Sequence, residues 1–154
     1  MSTKETLEQI GYEVIVPDLP NSNTPNIEEQ LTFLGQFLSR IDERSIIIGH
    51  SLGGQLATKF VELLDKKIKA LVLVAPTYPG VAENMGIATR PSQNQNEIAF
   101  SQYVSEEASF SQVSKNTKKV SIHLSKNDPY ISYEQAKKYY GNIADIEIRE
   151  YKDK

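Results

Sequence analysis

The sequence contains no cysteine and no tryptophan, and it has only two histidines, His50 and His123. The lack of cysteine excludes a disulfide scaffold, thiolate metal ligands and a cysteine nucleophile. Two histidines are too few for the multi-histidine sites that hold zinc in many enzymes. We therefore expect neither a metal nor a cofactor.

Long apolar runs and an excess of positive charge are also missing. The longest apolar run, Ala70–Pro76, is far too short to span a bilayer, and the polar segment Met1–Gln9 does not resemble a signal peptide. The chain has 17 Lys and Arg against 20 Asp and Glu, a net charge of −3. Nucleic acid and anionic membranes are unexpected partners for this charge, since both need clustered cations. We predict a cytoplasmic protein with a single domain over residues 1–154.

What is present is an alternation of apolar strand patterns with helix patterns, which is typical of α/β proteins with a parallel sheet. The pattern weakens between Pro76 and Lys119, so residues 77–118 are predicted to form an irregular, lid-like insertion within the domain. The strands are predicted at Tyr12–Val16, Ser45–Ile48, Ile68–Val74, Lys119–Leu124 and Ile146–Glu150.

One motif carries chemistry. Gly49-His50-Ser51-Leu52-Gly53 matches G-x-S-x-G, directly after a buried-type strand and directly before a helix. That placement predicts a nucleophile elbow, a strained turn that exposes the Ser51 hydroxyl at a helix N-terminus. There the backbone N–H of Leu52 is a candidate oxyanion donor. The alternative is an ordinary glycine-rich turn in which Ser51 only caps the helix.

Asp128 is the candidate acid, because it follows the strand that ends at Leu124 and so shares the carboxyl edge of the sheet with Ser51. The alternative is an Asx turn in which Asp128 only caps its own loop. No histidine follows Asp128. His50 is expected to point away from the serine hydroxyl, and His123 is expected to be an ordinary packed histidine within a strand. The chain therefore offers no candidate for the catalytic base.

Four blocks of sequence resemble the small single-domain serine hydrolases of the YdeN and retinoblastoma-binding-protein-9 type, which have the α/β-hydrolase fold. The resemblance covers nearly the whole chain. It implies a three-layer parallel sheet with helices on both faces, Ser51 as nucleophile, Asp128 as acid and an ester as the small-molecule substrate. The blocks are Gly11–Pro20, Gly49–Gly54, Leu71–Pro76 and Ser125–Tyr130.

The chain departs from that family at both ends. Family members begin with a central strand and a His-Gly loop that supplies an oxyanion donor, and they end with a Gly-His-Phe-like segment that carries the base; neither segment is found here. We therefore expect a sequence truncated at both ends, with two unpaired strand edges flanking the missing strand. Those edges could pair directly, accept a strand from a partner or a second copy, or leave the fold marginally stable.

Two functions remain open. The first is a carboxylesterase-like serine hydrolase that acts through an acyl-serine intermediate, with little activity in this chain because the base and half of the oxyanion hole are absent. The second is a non-catalytic remnant or interaction module on the same fold. The sequence does not identify the acyl group or the alcohol.

Overall fold

A computed structural model of the chain describes residues 1–87 and 93–152. The helices, labelled in chain order, are α1 Thr3–Gln9, α2 Ile27–Leu34, α3 Leu52–Glu62, α4 Val81–Asn84, α5 Gln95–Ser105, α6 Phe110–Asn116 and α7 Tyr133–Tyr140. A 3₁₀ helix, Gly35–Arg40, continues α2. The strands are β1 Ile46–His50, β2 Ala70–Val74, β3 Val120–Ser125 and β4 Ile146–Tyr151.

The four strands form one parallel sheet in the order β1-β2-β3-β4. The register places Ile47 beside Leu71, Leu73 beside Ile122, and Ile122 beside Ile148. Each parallel step needs a crossover: α3 links β1 to β2, α4 to α6 link β2 to β3, and α7 links β3 to β4. Since all strands run the same way, their carboxyl ends share one edge of the sheet. The predicted α/β class with a parallel sheet is confirmed.

The core lies on one side of the sheet. Leu71, Leu73, Ile122 and Leu124 are buried and pack against apolar residues of α3, α6 and α7, among them Val61. Side chains that alternate with these residues along β1 and β2 are partly buried or exposed, and Ile48 is 50% exposed. Burial fixes the register, because a slip by one residue would expose the core set.

The strand predicted at Tyr12–Val16 is wrong. These residues form no strand, and Tyr12, Ile15 and Val16 are exposed. Their β-branched and aromatic composition suits a strand, but a strand also needs a neighbour for its backbone hydrogen bonds. Within the described residues β1 pairs only with β2, so direct pairing of Tyr12–Val16 with β1 does not occur.

The predicted insertion at 77–118 contains α4, α5 and α6, and its residues 88–92 lie outside the described part of the chain. Its role as a lid, and the single-domain boundaries, stay predictions. In the described residues, no helix combines the length and apolarity that crossing a bilayer requires. The cellular compartment also stays a prediction.

Candidate functional site

Ser51 lies in the single-residue turn between β1 and α3, with φ 52° and ψ −123°. A positive φ is strained for a residue with a side chain, so the surrounding contacts must hold it. The Ser51 N–H donates to the Val74 carbonyl at 3.0 Å, and the Ser51 carbonyl accepts from Gly54 N at 2.9 Å and Thr77 N at 3.1 Å. The turn is therefore fixed to the end of β2 as well as to its own helix.

Two glycines, Gly49 and Gly54, allow the turn to form. Gly49 belongs to the G-x-S-x-G motif, and Gly54 follows its last residue. A Cβ at Gly49 would lie 2.7 Å from Gly54 Cα, and a Cβ at Gly54 would lie 2.6 Å from Pro76 Cβ. A Cβ at Gly53 would meet nothing within 4 Å. The close approach behind Ser51 thus requires Gly49 and Gly54, whereas a Cβ at Gly53, the last glycine of the G-x-S-x-G motif, would be tolerated.

Within the described residues, the Ser51 hydroxyl and the Leu52 N–H are not used in the hydrogen bonds that hold the turn. The Ser51 side chain makes no capping bond to α3, and its hydroxyl has no hydrogen-bond partner among the described residues. Leu52 is the first residue of α3, so its amide has no acceptor within the helix. The partial positive charge at a helix N-terminus adds to this donor. A hydroxyl and a free amide donor therefore sit at adjacent positions.

Asp128 follows β3 and forms an Asx turn, so the contacts of the structural alternative are present. Its Oδ1 accepts from Tyr130 N at 2.9 Å and from Ile131 N at 3.0 Å. Its Oδ2 has no hydrogen-bond or ion-pair partner in residues 1–87 and 93–152. The Asx turn fixes the carboxylate and leaves one oxygen for another donor.

Ser51 and Asp128 line the same open cleft, which has a volume of about 310 Å³. A second cleft of about 490 Å³ adjoins it and shares His50, Ala75 and Asp128. The first cleft is lined by His50, Ser51, Ala75, Thr77, Met85, Phe100, Asp128, Tyr130 and Ile131. The sheet edge thus brings the predicted nucleophile and acid into one space, as their positions after β1 and β3 require.

The two histidines occupy different parts of this edge. His123 lines only the second cleft; its Nδ1 lies 2.9 Å from the Tyr151 hydroxyl, and the two rings stack. Partial burial, with the nearby Arg149 guanidinium, lowers the pKa of the His123 imidazole. His50 lines both clefts, but within the described residues its imidazole makes no hydrogen bond to Ser51 or Asp128. Neither imidazole is engaged as a base.

A buried polar network beneath the turn escaped the sequence analysis. The Thr77 hydroxyl donates to Gln55 Oε1 at 2.9 Å, and Gln55 Nε2 donates to the Glu106 carbonyl at 2.8 Å. The Tyr140 hydroxyl donates to the Thr77 carbonyl at 2.5 Å. The one sequence signal was Gln55 itself, a polar residue on the buried face of α3. No group of three or more possible metal ligands occurs among the residues that the structure describes.

The comparisons with known proteins agree with this architecture. The product of the ydeN gene from Bacillus subtilis superposes with a TM-score of 0.76 at 17% identity, over 97% of this chain and 74% of that one. Polyneuridine aldehyde esterase gives 0.68 at 16%, over 97% and 83%. MGS-MChE2, an α/β hydrolase from a lagoon-sediment metagenome of Mar Chica, Morocco, gives 0.68 at 19%, over 96% and 70%.

These superpositions show a shared α/β-hydrolase fold. No curated protein sequence matches the chain. The sequence model of the serine hydrolase family matches residues 8–148, which is most of the chain. The parallel sheet is of the α/β-hydrolase type, in agreement with this match. The chain is therefore a member of the serine hydrolase family.

Proposed function

We propose that the protein is a carboxylesterase-like hydrolase that acts through Ser51. The observation that carries the proposal is the strained Ser51 turn, which opens into a cleft shared with the Asp128 carboxylate. Strained turns of this kind present the nucleophile in α/β-hydrolases.

The proposed reaction begins with attack of Ser51 Oγ on the ester carbonyl carbon. The carbonyl electron pair moves onto oxygen, where the Leu52 N–H stabilises the negative charge. A base takes the Ser51 proton and returns it to the departing alcohol, leaving an acyl-serine that water then hydrolyses. Asp128 Oδ2 accepts a hydrogen bond from that base and stabilises its charged form.

The described part of the chain lacks an evident group to remove the proton from the Ser51 hydroxyl. A serine hydroxyl is a weak nucleophile near neutral pH unless a base activates it, and within the described residues neither the His50 nor the His123 imidazole makes a hydrogen bond to Ser51. Loss of one triad member leaves only about 10³–10⁴-fold acceleration over water. We therefore propose that turnover by this chain is low, although Ser51 remains chemically accessible.

The experiment that tests the proposal is covalent labelling with a fluorophosphonate, followed by peptide mapping. We expect slow modification confined to Ser51 and none in Ser51→Ala. Ser125 is a matched control, because it lies at the same sheet edge but lines only the second cleft, and Ser125→Ala should label like the parent. Labelling spread evenly over several serines would contradict the proposal.

A second candidate function is a non-catalytic module that associates through β1. The observation that favours it is the unpaired edge of β1 in the described residues, beside an Ile48 that is half exposed. Such an edge offers backbone donors and acceptors to another strand. A second copy of the chain presents the same edge and can pair with it about a two-fold axis.

Self-association is tested by measuring the molar mass in solution over a range of concentrations. Under the module hypothesis we expect a dimer that Ile48→Lys converts to monomer, while Leu63→Lys, at an exposed position on the end of α3, leaves it intact. A monomer at all concentrations would contradict pairing between copies, and a complex with a different chain would point to a heterologous strand.

A further inference from the structure

The cleft that contains Ser51 is lined by both polar and apolar side chains. Ser51, Thr77 and Asp128 are polar, and Met85, Phe100 and Ile131 are apolar. Asp128 supplies the one acidic group of the described lining, and no lysine or arginine occurs in it. An uncharged apolar group therefore fits the apolar part of this lining better than a carboxylate or a sugar does.

The size of the cleft limits that group. At about 310 Å³ it lies at the lower end of the volumes, roughly 300–1,000 Å³, that small-molecule sites usually have. Part of this space must hold the ester carbonyl and the leaving alcohol next to Ser51. A short acyl chain fits within the wall formed by the lining residues, and a longer one would have to extend past that wall.

Phe100 forms part of that wall, and its position is fixed by the contacts that Tyr103 makes on the same helix. It lies on α5 three residues before Tyr103, so the two side chains project from neighbouring positions on the helix. Tyr103 is buried, and its hydroxyl donates to Gln30 Oε1 at 2.8 Å. Burial raises the pKa of the Tyr103 phenol, which keeps it a neutral donor.

The same end of α5 is also attached to the helix that begins after Ser51. Gln55 Nε2 donates to the carbonyls of Tyr103 at 3.3 Å and Glu106 at 2.8 Å. Gln55 is 3% exposed, and its bond to the Tyr103 carbonyl is buried, which strengthens it. The distance between Phe100 and Ser51 is therefore set by two anchored helices.

We propose that this cleft is an acyl pocket for a short, uncharged, apolar acyl group, and that Phe100 is the residue that limits the length of the chain. The proposal rests on the proposed function, because Ser51 is taken as the group that attacks the acyl carbon. Phe100 sets specificity; Tyr103 and Gln55 are positioning residues that hold it.

The test compares the rates at which fluorophosphonates with a butyl or an octyl group on phosphorus modify Ser51. Serine Oγ bonds to phosphorus and fluoride leaves, so no turnover is needed. One methylene in an apolar pocket changes selectivity about 10–200-fold, and we expect the butyl probe to react at least about tenfold faster than the octyl probe. A butyl probe that ends in a carboxylate should react more slowly than its methyl ester.

The decisive variant is Phe100→Ala, which should raise the octyl-to-butyl ratio about tenfold. The ratio is measured within one protein sample, so a change in the folded fraction cancels. Phe33→Ala is the matched control, because Phe33 is a half-buried phenylalanine of α2 that does not line the cleft. It should leave the ratio unchanged.

The outcomes separate the two proposals. Failure of every probe to modify Ser51 would overturn the proposed function, and the acyl pocket with it. Modification of Ser51 at equal rates for both chain lengths would overturn the acyl pocket alone. A ratio that Phe100→Ala does not change would also overturn it, as would a preference for the carboxylate-ended probe.

Discussion

The hydroxyl of Thr77 donates a hydrogen bond to the side-chain carbonyl of Gln55 over 2.9 Å, and this contact links the segment after β2 to the helix after Ser51. Thr77 is also the residue whose N–H donates to the Ser51 carbonyl. The backbone strain at Ser51 is thus supported by two residues that carry no chemistry of their own.

Gln55→Met should lower the free energy of unfolding by about 2–3 kcal/mol, because the Thr77 hydroxyl, the buried Tyr103 carbonyl and the partly buried Glu106 carbonyl lose their partner. Urea unfolding measures the change. Thr58→Val is the matched control: Thr58 is also buried on α3, and its hydroxyl donates to Gly54 O of the same helix. We expect a loss of about 1 kcal/mol there. Equal losses would show that the link between the segments contributes nothing.

Gly54→Ala should destabilise the protein, whereas Gly53→Ala should not. An alanine Cβ at Gly54 meets Pro76 and should cost about 1–3 kcal/mol. At Gly53 the space is open within α3, and alanine should be neutral or stabilise the protein by up to about 1 kcal/mol. The test compares the urea unfolding midpoints of the two variants. A Gly54→Ala protein as stable as the parent would contradict the close contact between Gly54 and Pro76.

Added imidazole should accelerate fluorophosphonate labelling of Ser51. The cleft has space beside the Ser51 hydroxyl, and Asp128 Oδ2 is free to accept an N–H. A neutral imidazole can therefore remove the serine proton, and the effect should rise as pH passes about 6.5, the ordinary pKa of an imidazole side chain. The labelling rate is measured against imidazole concentration and pH, with Ser51→Ala as the background.

Two controls separate this effect from general base catalysis. 1-Methylimidazole is a base without an N–H for Asp128, and its effect should be weaker by about tenfold or more. Asp128→Asn keeps the oxygen that accepts from Tyr130 and Ile131, so the turn should fold while imidazole helps less. Equal acceleration by both bases would contradict a role for Asp128.

Glu150→Gln should weaken the protein above pH 4.5 but not at pH 2. The Tyr133 hydroxyl and Lys126 lower the pKa of the Glu150 carboxyl to about 2, below its ordinary value of 4.5. Its stabilising contacts are therefore fully present above the ordinary pKa and are lost as pH falls through the lowered one. Unfolding midpoints of parent and variant should converge near pH 2. A difference between the two midpoints that stays constant at all pH values would contradict this prediction.

Several features of the fold followed from the sequence because they depend on local pattern. The apolar runs that overlap β1, β2 and β3, and the glycine-flanked turn after β1, need only information from neighbouring residues. Tyr12–Val16 failed because a strand depends on a partner elsewhere in the chain. The close contact at Gly54 involves Pro76, and the network of Gln55 reaches residues 22 to 51 positions away. No local pattern specifies such contacts.

Within residues 1–87 and 93–152 one edge of β1 is unpaired, and this divides the amide protons of the strand into two sets. In a parallel ladder successive residues direct their N–H groups to opposite sides, and Ser51 N–H points to β2. By this alternation the amides of Ile47 and Gly49 face β2, and those of Ile48 and His50 face the open edge. In deuterated water the first pair should exchange slowly and the second quickly. Protection appearing at Ile48 would reveal that another strand has bound at the edge.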